Sequence, residues 1–157
     1  MDKEPVNIFV PHFHGDSDYL PKLRKLIEKQ GYEVRDSSID ERNPNDAKDT
    51  EYIKSLLRPQ IDWAGKVIVM IGPQTHTRWW VDWEIEYASS FENKRIVGVF
   101  LPGATDADVP ANLNKYGDAL VSWNSDSLSA AIDGDNIWLN PEGGIRQGVW
   151  PTHKSVC

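Results

Sequence analysis

The chain has 157 residues and a mass of 17.8 kDa, which fits one domain of ordinary size, and 39% of its residues are hydrophobic. Its formal net charge of −7 argues against general nucleic-acid binding but leaves room for a small anionic ligand in a local pocket. No apolar run approaches the roughly 18–20 residues of a membrane span, so we expect no membrane partner. The single cysteine, Cys157, cannot form an internal disulfide, which favours a cytoplasmic setting.

Strands and helices alternate along the first third of the chain. Residues 6–10 are rich in β-formers and predict a first strand, followed by a loop over residues 12–17. Leucines at helical spacing predict a helix from residue 18 to Gly31, capped by Ser17 or Asp18. Residues 32–35 predict a short second strand, and the polar residues 36–49 predict a long loop of a kind that is usually functional.

The middle of the chain continues this alternation. Residues 50–57 predict a helix that Pro59 bends or ends. The almost continuous apolar run of residues 66–71 is typical of a central strand buried on both faces. Residues 79–91 predict another helix, and residues 95–100 predict a fourth strand.

The last third of the chain is less regular. Residues 104–117 predict no regular element, residues 119–123 predict a short fifth strand, and Ser125 or Asp126 caps a last helix that ends near Asp133. Residues 134–157 are rich in Gly, Pro and Trp and lack periodicity. We therefore divide the chain into a domain of residues 1–133 and a tail of residues 134–157 that packs on the domain or on a partner.

This order of elements predicts a three-layer α/β/α domain, flavodoxin-like, around a parallel sheet of five strands. In such sheets the ligand crevice lies beyond the carboxyl ends of the strands. That rule points to four segments, which are residues 11–16, 36–45, 72–78 and 101–105.

The helix after the central strand carries the most informative pattern. Four of its side chains fall on one helical face: Trp80, Trp83, Glu84 and Tyr87. A carboxylate among three aromatic rings is partly desolvated and costly without a function or a partner. Spacing alone leaves two interpretations of Glu84 open, a catalytic group or one side of an interhelical hydrogen bond or ion pair. Asp82 and Glu86 fall on other faces and are predicted to be solvated.

Five segments match a known pattern: residues 7–10, 36–39, 64–72, 77–85 and 95–99. On these segments the chain resembles the TIR-like domains of bacteria and archaea and is similar to the TIR component of Thoeris anti-phage systems. The resemblance covers roughly residues 5–133, and its most specific element is Trp-x-x-x-Glu-Ile at residues 80–85. In enzymatic TIR domains the glutamate of that element is catalytic, and it maps onto Glu84.

The resemblance implies an NAD+ nucleosidase or ADP-ribosyl cyclase that takes NAD as substrate and needs no cofactor. Breaking the nicotinamide–ribose bond develops positive charge on the ribose, which a fixed carboxylate can stabilise. Aromatic walls exclude water, so a cyclic ADP-ribose isomer becomes the expected product. In a Thoeris setting we expect an anti-phage signal sensed by a separate effector protein, and TIR surfaces that self-associate.

The resemblance also implies further substrate contacts. TIR domains usually continue the first strand into Ser and an aromatic residue, whereas this chain has Pro11, His12 and Phe13. His12 and Phe13 either replace the usual contacts or serve only loop packing. Residues 36–49 lie where TIR domains carry an assembly loop. The alternative is that these residues form a solvated loop without such a role. The full set of predicted substrate contacts is His12, Phe13, Asp36, Ser37, Ser38, Asn45 and Trp80.

Other chemistries and functions are less well supported. Two histidines and two aspartates lie between residues 12 and 18, but metal catalysis needs more ligands than the two remaining histidines supply, so we expect no metal. Two alternatives to the NAD-consuming enzyme stay open. One is a non-catalytic TIR adaptor or scaffold, and the other is a nucleoside deoxyribosyltransferase-like enzyme, which shares the fold class and also uses a glutamate.

Overall fold

The sheet of this protein is built from parallel strands. The structure is a computed structural model that describes residues 7–12, 14–35, 50–77 and 79–146. Five strands occur in it: β1 (Asn7–Phe9), β2 (Glu33–Arg35), β3 (Lys66–Ile71), β4 (Arg95–Phe100) and β5 (Ala119–Val121). They lie in the order β2-β1-β3-β4-β5, and each neighbouring pair is parallel. The predicted α/β class with a parallel sheet is confirmed.

Helices cover both faces of the sheet. They are α1 (Leu20–Glu28), α2 (Thr50–Trp63), α3 (Trp79–Ser89), α4 (Ala111–Tyr116) and α5 (Ser125–Asp133). Buried residues of α1 and α5 pack in one core cluster, and buried residues of α2, α3 and α4 pack in a second cluster across the sheet. None of the described helices is long and apolar enough to cross a membrane.

The central strand β3 explains why the two cores form. Its residues alternate between the clusters, with Val67, Val69 and Ile71 in one and Ile68 and Met70 in the other. All five side chains are fully buried. A strand that is covered on both faces reads as a continuous apolar run, which is why the sequence predicted β3 with its observed bounds.

The order of the strands reverses at one point. The chain moves from β1 outward to β2, returns to β3 on the other side of β1, and then continues to β4 and β5. The helices α1 and α3, which follow β1 and β3, pack in different core clusters and so lie on opposite faces. The chain segments that leave these two strands therefore diverge. We call the space between residues 10–19 and residues 72–77 the switch-point crevice.

Pro59 was predicted to bend or end the second helix, and the second alternative is wrong. The helix α2 continues through Pro59 to Trp63. Ile53, Leu57 and Ile61 lie one helical turn apart and are all buried in the core. Proline inside a helix costs about 3 kcal/mol, and the burial of these side chains outweighs that cost.

The prediction that residues 104–117 are irregular is also wrong. They contain a 3-10 turn at Asp106–Asp108 and the helix α4. Asp82 of α3 orders α4, because its Oδ1 accepts a hydrogen bond from the Asn112 backbone N at 2.9 Å and its Oδ2 accepts from Asn112 Nδ2 at 2.9 Å. Asp82 is therefore half-buried and bonded rather than solvated as predicted.

Two helix starts differ from their prediction. A 3-10 turn at His14–Tyr19 occupies most of the predicted loop, and α1 begins after it without a side-chain cap. At α5 the capping residue is Asn124 rather than Ser125 or Asp126. The Asn124 Oδ1 accepts a hydrogen bond from the Ser127 N at 3.0 Å.

Residues 137–139 lie along the edge strand β5. The Leu120 N donates to the Ile137 O, and the Leu139 N donates to the Leu120 O, both at 2.8 Å. The chain then turns, and the Arg146 N donates to the Trp138 O at 3.0 Å. Residues 147–157 lie outside the described residues, and the division into domain and tail stays a prediction.

Candidate functional site

Glu84 lies in the second turn of α3 and is buried. Only 2% of the residue is exposed, and its helical neighbours one turn away, Trp80 and Ala88, are buried as well. Residues of α3 on this side belong to the core cluster beneath the sheet. Burial raises the pKa of the Glu84 carboxyl well above its ordinary value of 4.5.

Among the described residues, one oxygen of the Glu84 carboxyl has no partner. Its Oε1 is buried without a hydrogen bond to any residue that the structure describes. An unsatisfied buried acceptor costs about 1–3 kcal/mol, so most such atoms in proteins are paired. Within residues 7–12, 14–35, 50–77 and 79–146, the interpretation of Glu84 as one side of an interhelical hydrogen bond or ion pair therefore has no support. A buried carboxyl with a strongly raised pKa is typical of a functional group.

The aromatic residues of α3 divide into two groups. Trp80 is buried beside Glu84, and its ring meets Trp79 edge-to-face with centroids 6.0 Å apart. Trp83 and Tyr87 instead stack on each other at 5.3 Å. The predicted common face of four side chains therefore contributes both to the surroundings of Glu84 and to helix packing.

The second aromatic group connects α3 to α2. Lys54 and Arg58 of α2 lie over the Trp83 ring, at 5.4 and 5.7 Å from its centroid. The Tyr87 hydroxyl donates a hydrogen bond to the Asp62 Oδ1 at 2.7 Å. These contacts fix α3, and with it the Glu84 backbone, against the neighbouring helix.

A second carboxyl with a raised pKa, the half-buried Asp16, lies beside the switch-point crevice. Asp16 lies in the 3-10 turn between β1 and α1, and its carboxyl packs directly on Gly72, the first residue after β3. A Cβ built on Gly72 would lie 2.6 Å from the Asp16 Cγ and would overlap its Oδ2. Desolvation raises the pKa of Asp16, and a hydrogen bond with the Thr75 hydroxyl opposes that rise.

The turn after β3 is itself ordered by Thr75. The Gly72 N donates to the Thr75 Oγ1 at 2.8 Å, and Thr75 is fully buried. No sequence pattern singled out Asp16 as a substrate contact. The carboxyl-end rule pointed to the segment of residues 11–16, and a glycine directly after a buried strand was a second signal, since it often marks a close approach by another group.

His12 is buried directly beyond β1. Its Nδ1 lies 2.8 Å from the Val10 O, so a protonated Nδ1 donates there and leaves Nε2 as an acceptor. This position lies at the crevice, and a substrate contact by His12 stays a prediction. The predicted contacts Phe13, Asp36, Ser37, Ser38 and Asn45 lie outside the described residues.

A separate open cleft of about 610 Å³ lies beyond β4 and β5. The loop of residues 103–106 and the turn of residues 140–142 form its walls, together with Arg146. The Arg146 Nε donates to the Asp106 Oδ1 at 2.6 Å and joins the two walls. The rule for parallel sheets pointed to residues 101–105, which supply part of one wall. The sequence did not predict the other wall, because residues 134–157 have no periodicity. In the part of the chain that the structure describes, no three His, Cys, Asp or Glu side chains could together hold a metal ion.

These features are those of a doubly wound α/β domain with a strand-order reversal between β1 and β3. Asp16 lies in the segment that leaves β1, and Glu84 lies in the helix that follows β3.

The family of the chain follows from its match over residues 9–106 to the family model described as "Thoeris protein ThsB, TIR-like domain". The chain belongs to this TIR-like family, as the resemblance of its sequence predicted. The matched region runs from β1 past β4 and includes Asp16, Gly72 and Glu84.

One similar solved structure is the 2-deoxyribosyltransferase of the psychrotolerant bacterium Bacillus psychrosaccharolyticus. The two chains share 11% sequence identity with a TM-score of 0.54, and the match covers 78% of this chain and 89% of the transferase. At this identity the likeness shows the fold alone. No curated protein matches the chain.

Proposed function

We propose that this chain is an NAD-consuming TIR enzyme that cleaves the bond between nicotinamide and ribose. The observation that carries the proposal is the Glu84 carboxyl, which is buried, has a raised pKa and leaves Oε1 unpaired among the described residues. It occupies the position of the catalytic glutamate in the Trp-x-x-x-Glu-Ile element of the family.

The proposed reaction breaks the bond between ribose C1′ and the nicotinamide ring nitrogen. The bonding electrons leave with nicotinamide, which becomes neutral, and positive charge develops on C1′ and the ring oxygen of the ribose. An ionised Glu84 stabilises that charge, and the dry surroundings beside Trp80 strengthen the attraction. Water then attacks C1′ and releases a proton, or a nucleophilic atom of the same ADP-ribosyl group attacks and forms a cyclic isomer.

The raised pKa of Glu84 sets the direction of the pH dependence. The stabilising form is the carboxylate, so kcat/KM falls as the pH drops below the raised pKa of the free enzyme. The positive charge of the nicotinamide ring in bound NAD favours the carboxylate and lowers this pKa in the complex. The fall in kcat therefore begins at a lower pH than the fall in kcat/KM.

The rest of the proposal concerns the product and its use. The ADP-ribose-derived product, a cyclic isomer in our proposal, serves as an anti-phage signal in the cytoplasm and is sensed by a separate effector protein. The residues proposed to contact NAD are His12, Phe13, Asp36, Ser37, Ser38, Asn45 and Trp80. Self-association through TIR surfaces accompanies catalysis.

The test compares three proteins with NAD as substrate. They are the wild type, the Glu84→Gln variant and a matched control, Glu86→Gln, on the exposed side of the same helix. Nicotinamide and every ADP-ribose species are resolved by chromatography and mass spectrometry. We expect Glu84→Gln to lose at least about 100-fold in rate, because it removes the charge that opposes the developing cation. We expect Glu86→Gln to match the wild type.

Other outcomes separate the alternatives. Full activity of Glu84→Gln would overturn the role of this residue. Base exchange with a 2′-deoxynucleoside and a free base, without nicotinamide release from NAD, would favour the deoxyribosyltransferase-like enzyme. If the wild type converts neither substrate, even in lysate from phage-infected cells, the result would favour the non-catalytic adaptor.

A further inference from the structure

We infer that Asp16 is the second substrate-binding carboxyl of this site and that it accepts a hydrogen bond from a hydroxyl of the nicotinamide ribose. The inference rests on the proposed function and extends it to the segment that leaves β1.

The position follows from the topology. Asp16 belongs to the segment that leaves β1, whereas Glu84 belongs to the helix that follows β3, and these two strands flank the point where the strand order reverses. A ligand that enters the switch-point crevice therefore lies against the segment that carries Asp16 and against the turn that leads into the helix of Glu84. Asp18 lies in the same turn as Asp16 but is exposed to solvent.

The Asp16 carboxyl is held firmly. It lies against the backbone of Gly72 so closely that no side chain other than hydrogen fits there. The Thr75 hydroxyl hydrogen bonds the carboxyl and also accepts from the Gly72 N. This arrangement fixes the segment after β1 to the turn after β3, and it keeps the carboxyl in one orientation, as a binding group requires.

One acceptor of Asp16 remains unused. The Oδ2 atom is buried and has no hydrogen bond within the residues that the structure describes. Holding the two segments together requires one carboxyl oxygen, so the other represents an uncompensated cost of about 1–3 kcal/mol in the free protein. A donor from a bound ligand relieves that cost. Ribose hydroxyls are such donors, and Glu84 is left to oppose the charge at C1′.

The first experiment measures NAD cleavage by Asp16→Asn and by its matched control, Asp18→Asn. Asparagine keeps the shape of the side chain and presents an N–H group where a hydroxyl would donate. We expect Asp16→Asn to raise the KM for NAD at least 10-fold with a smaller change in kcat, and Asp18→Asn to behave like the wild type. Equal kinetics of Asp16→Asn and Asp18→Asn would overturn the inference while leaving the proposed function intact.

The second experiment assigns the hydrogen bond. The wild type and Asp16→Asn are compared on NAD analogues that lack the 2′- or the 3′-hydroxyl of the nicotinamide ribose. If Asp16 accepts from one of these hydroxyls, the defect of Asp16→Asn largely disappears with the analogue that lacks it. A defect of constant size with NAD and both analogues indicates a purely structural role and overturns the inference.

A third experiment does not depend on catalysis. NAD binding is measured by calorimetry in the Glu84→Gln background, with and without Asp16→Asn or Gly72→Ala. The Gly72→Ala substitution displaces the Asp16 carboxyl without changing its charge. We expect both substitutions to weaken NAD binding at least 10-fold, and unchanged affinity in both would overturn the inference. If the wild type binds NAD but never cleaves it, the proposed function fails while the contact by Asp16 is still decided here.

Discussion

The ionisable groups differ between the side of the sheet where the strands begin, the amino edge, and the side where they end, the carboxyl edge. At the amino edge, Arg95 donates from three nitrogens, to the Ala131 O at 2.6 Å, to the Asp135 O at 2.6 Å and to the Asn136 Oδ1 at 2.9 Å. At the carboxyl edge, Asp16 and Glu84 each have one buried oxygen without a partner among the described residues.

The other ionisable groups of the amino edge follow the same pattern as Arg95. The Lys66 ammonium donates to the Ile132 O near the end of α5, and the Asp118 Oδ2 accepts from the Ile96 N at 2.8 Å. Lys66 and Arg95 both donate hydrogen bonds to carbonyls in the last turn of α5, where the helix dipole favours positive charge.

This difference separates polar groups that stabilise the fold from polar groups that are suited to bind a ligand, within one sheet. Pairing at the amino edge locks α5 and the strand ends together, so its polar groups lower the free energy of the folded state. Unsatisfied acceptors at the carboxyl edge raise that free energy, and proteins retain such groups mainly where a ligand needs them. Substitutions at the two edges should therefore have opposite effects on stability and activity.

The largest expected effect on stability comes from removing the Arg95 hydrogen bonds at the amino edge. We expect Arg95→Met to destabilise the fold by about 2–3 kcal/mol, because it removes the side-chain hydrogen bonds to the Ala131 and Asp135 carbonyls and to Asn136. The free energy of unfolding from urea titrations measures this loss. Lys25→Met, at an exposed position of α1, is the control and should change stability by less than about 0.5 kcal/mol. Activity per folded molecule should stay at the wild-type level, and a large drop in it would contradict the division between the two edges.

The second prediction concerns the stability cost of Glu84. Its raised pKa means that the folded state binds the proton more tightly than the unfolded state. Wild-type stability should therefore be fully present below the ordinary pKa of 4.5 and fall as the pH rises through the raised pKa, with a slope of at most about 1.4 kcal/mol per pH unit.

Glu84→Gln should remove this slope. The variant should be more stable than the wild type at pH 8, and the advantage should disappear near pH 4. Urea titrations between these pH values measure the difference, and Glu86→Gln should keep the wild-type slope. An unchanged slope in Glu84→Gln would show that Glu84 is solvated or paired in the folded protein.

The smallest expected effect tests how α3 is held. We expect Asp82→Ala to destabilise the fold by about 1 kcal/mol, because it removes the carboxylate that caps α4 through Asn112. Thermal unfolding measures this loss. With Glu84 only two residues away, a small rise in KM for NAD is also expected, while a loss of activity as large as that of Glu84→Gln would assign Asp82 a more direct role.

Elements whose residue pattern lies within a short stretch of the chain could be predicted from the amino-acid sequence. The apolar runs of β3 and β4 predicted both strands with their observed bounds, because residues covered on two faces must nearly all be apolar. The motif of α3 singled out Glu84 and indicated the family. These signals depend on neighbours within a few positions, so the sequence alone carries them.

Contacts, caps and burial that depend on residues distant in sequence became visible only in the tertiary structure. Three contacts join parts of the chain that are far apart in sequence. They are the contact of Asp16 with Gly72, the cap that Asp82 provides to α4 and the pairing of residues 137–139 with β5. Pro59 inside α2 is a further case, because core burial outweighs a local preference. The burial that raises the pKa of Glu84 likewise comes from the packing of α3 in the core. The sequence specifies which residues are present. Only the fold decides whether a distant partner lies next to each of them.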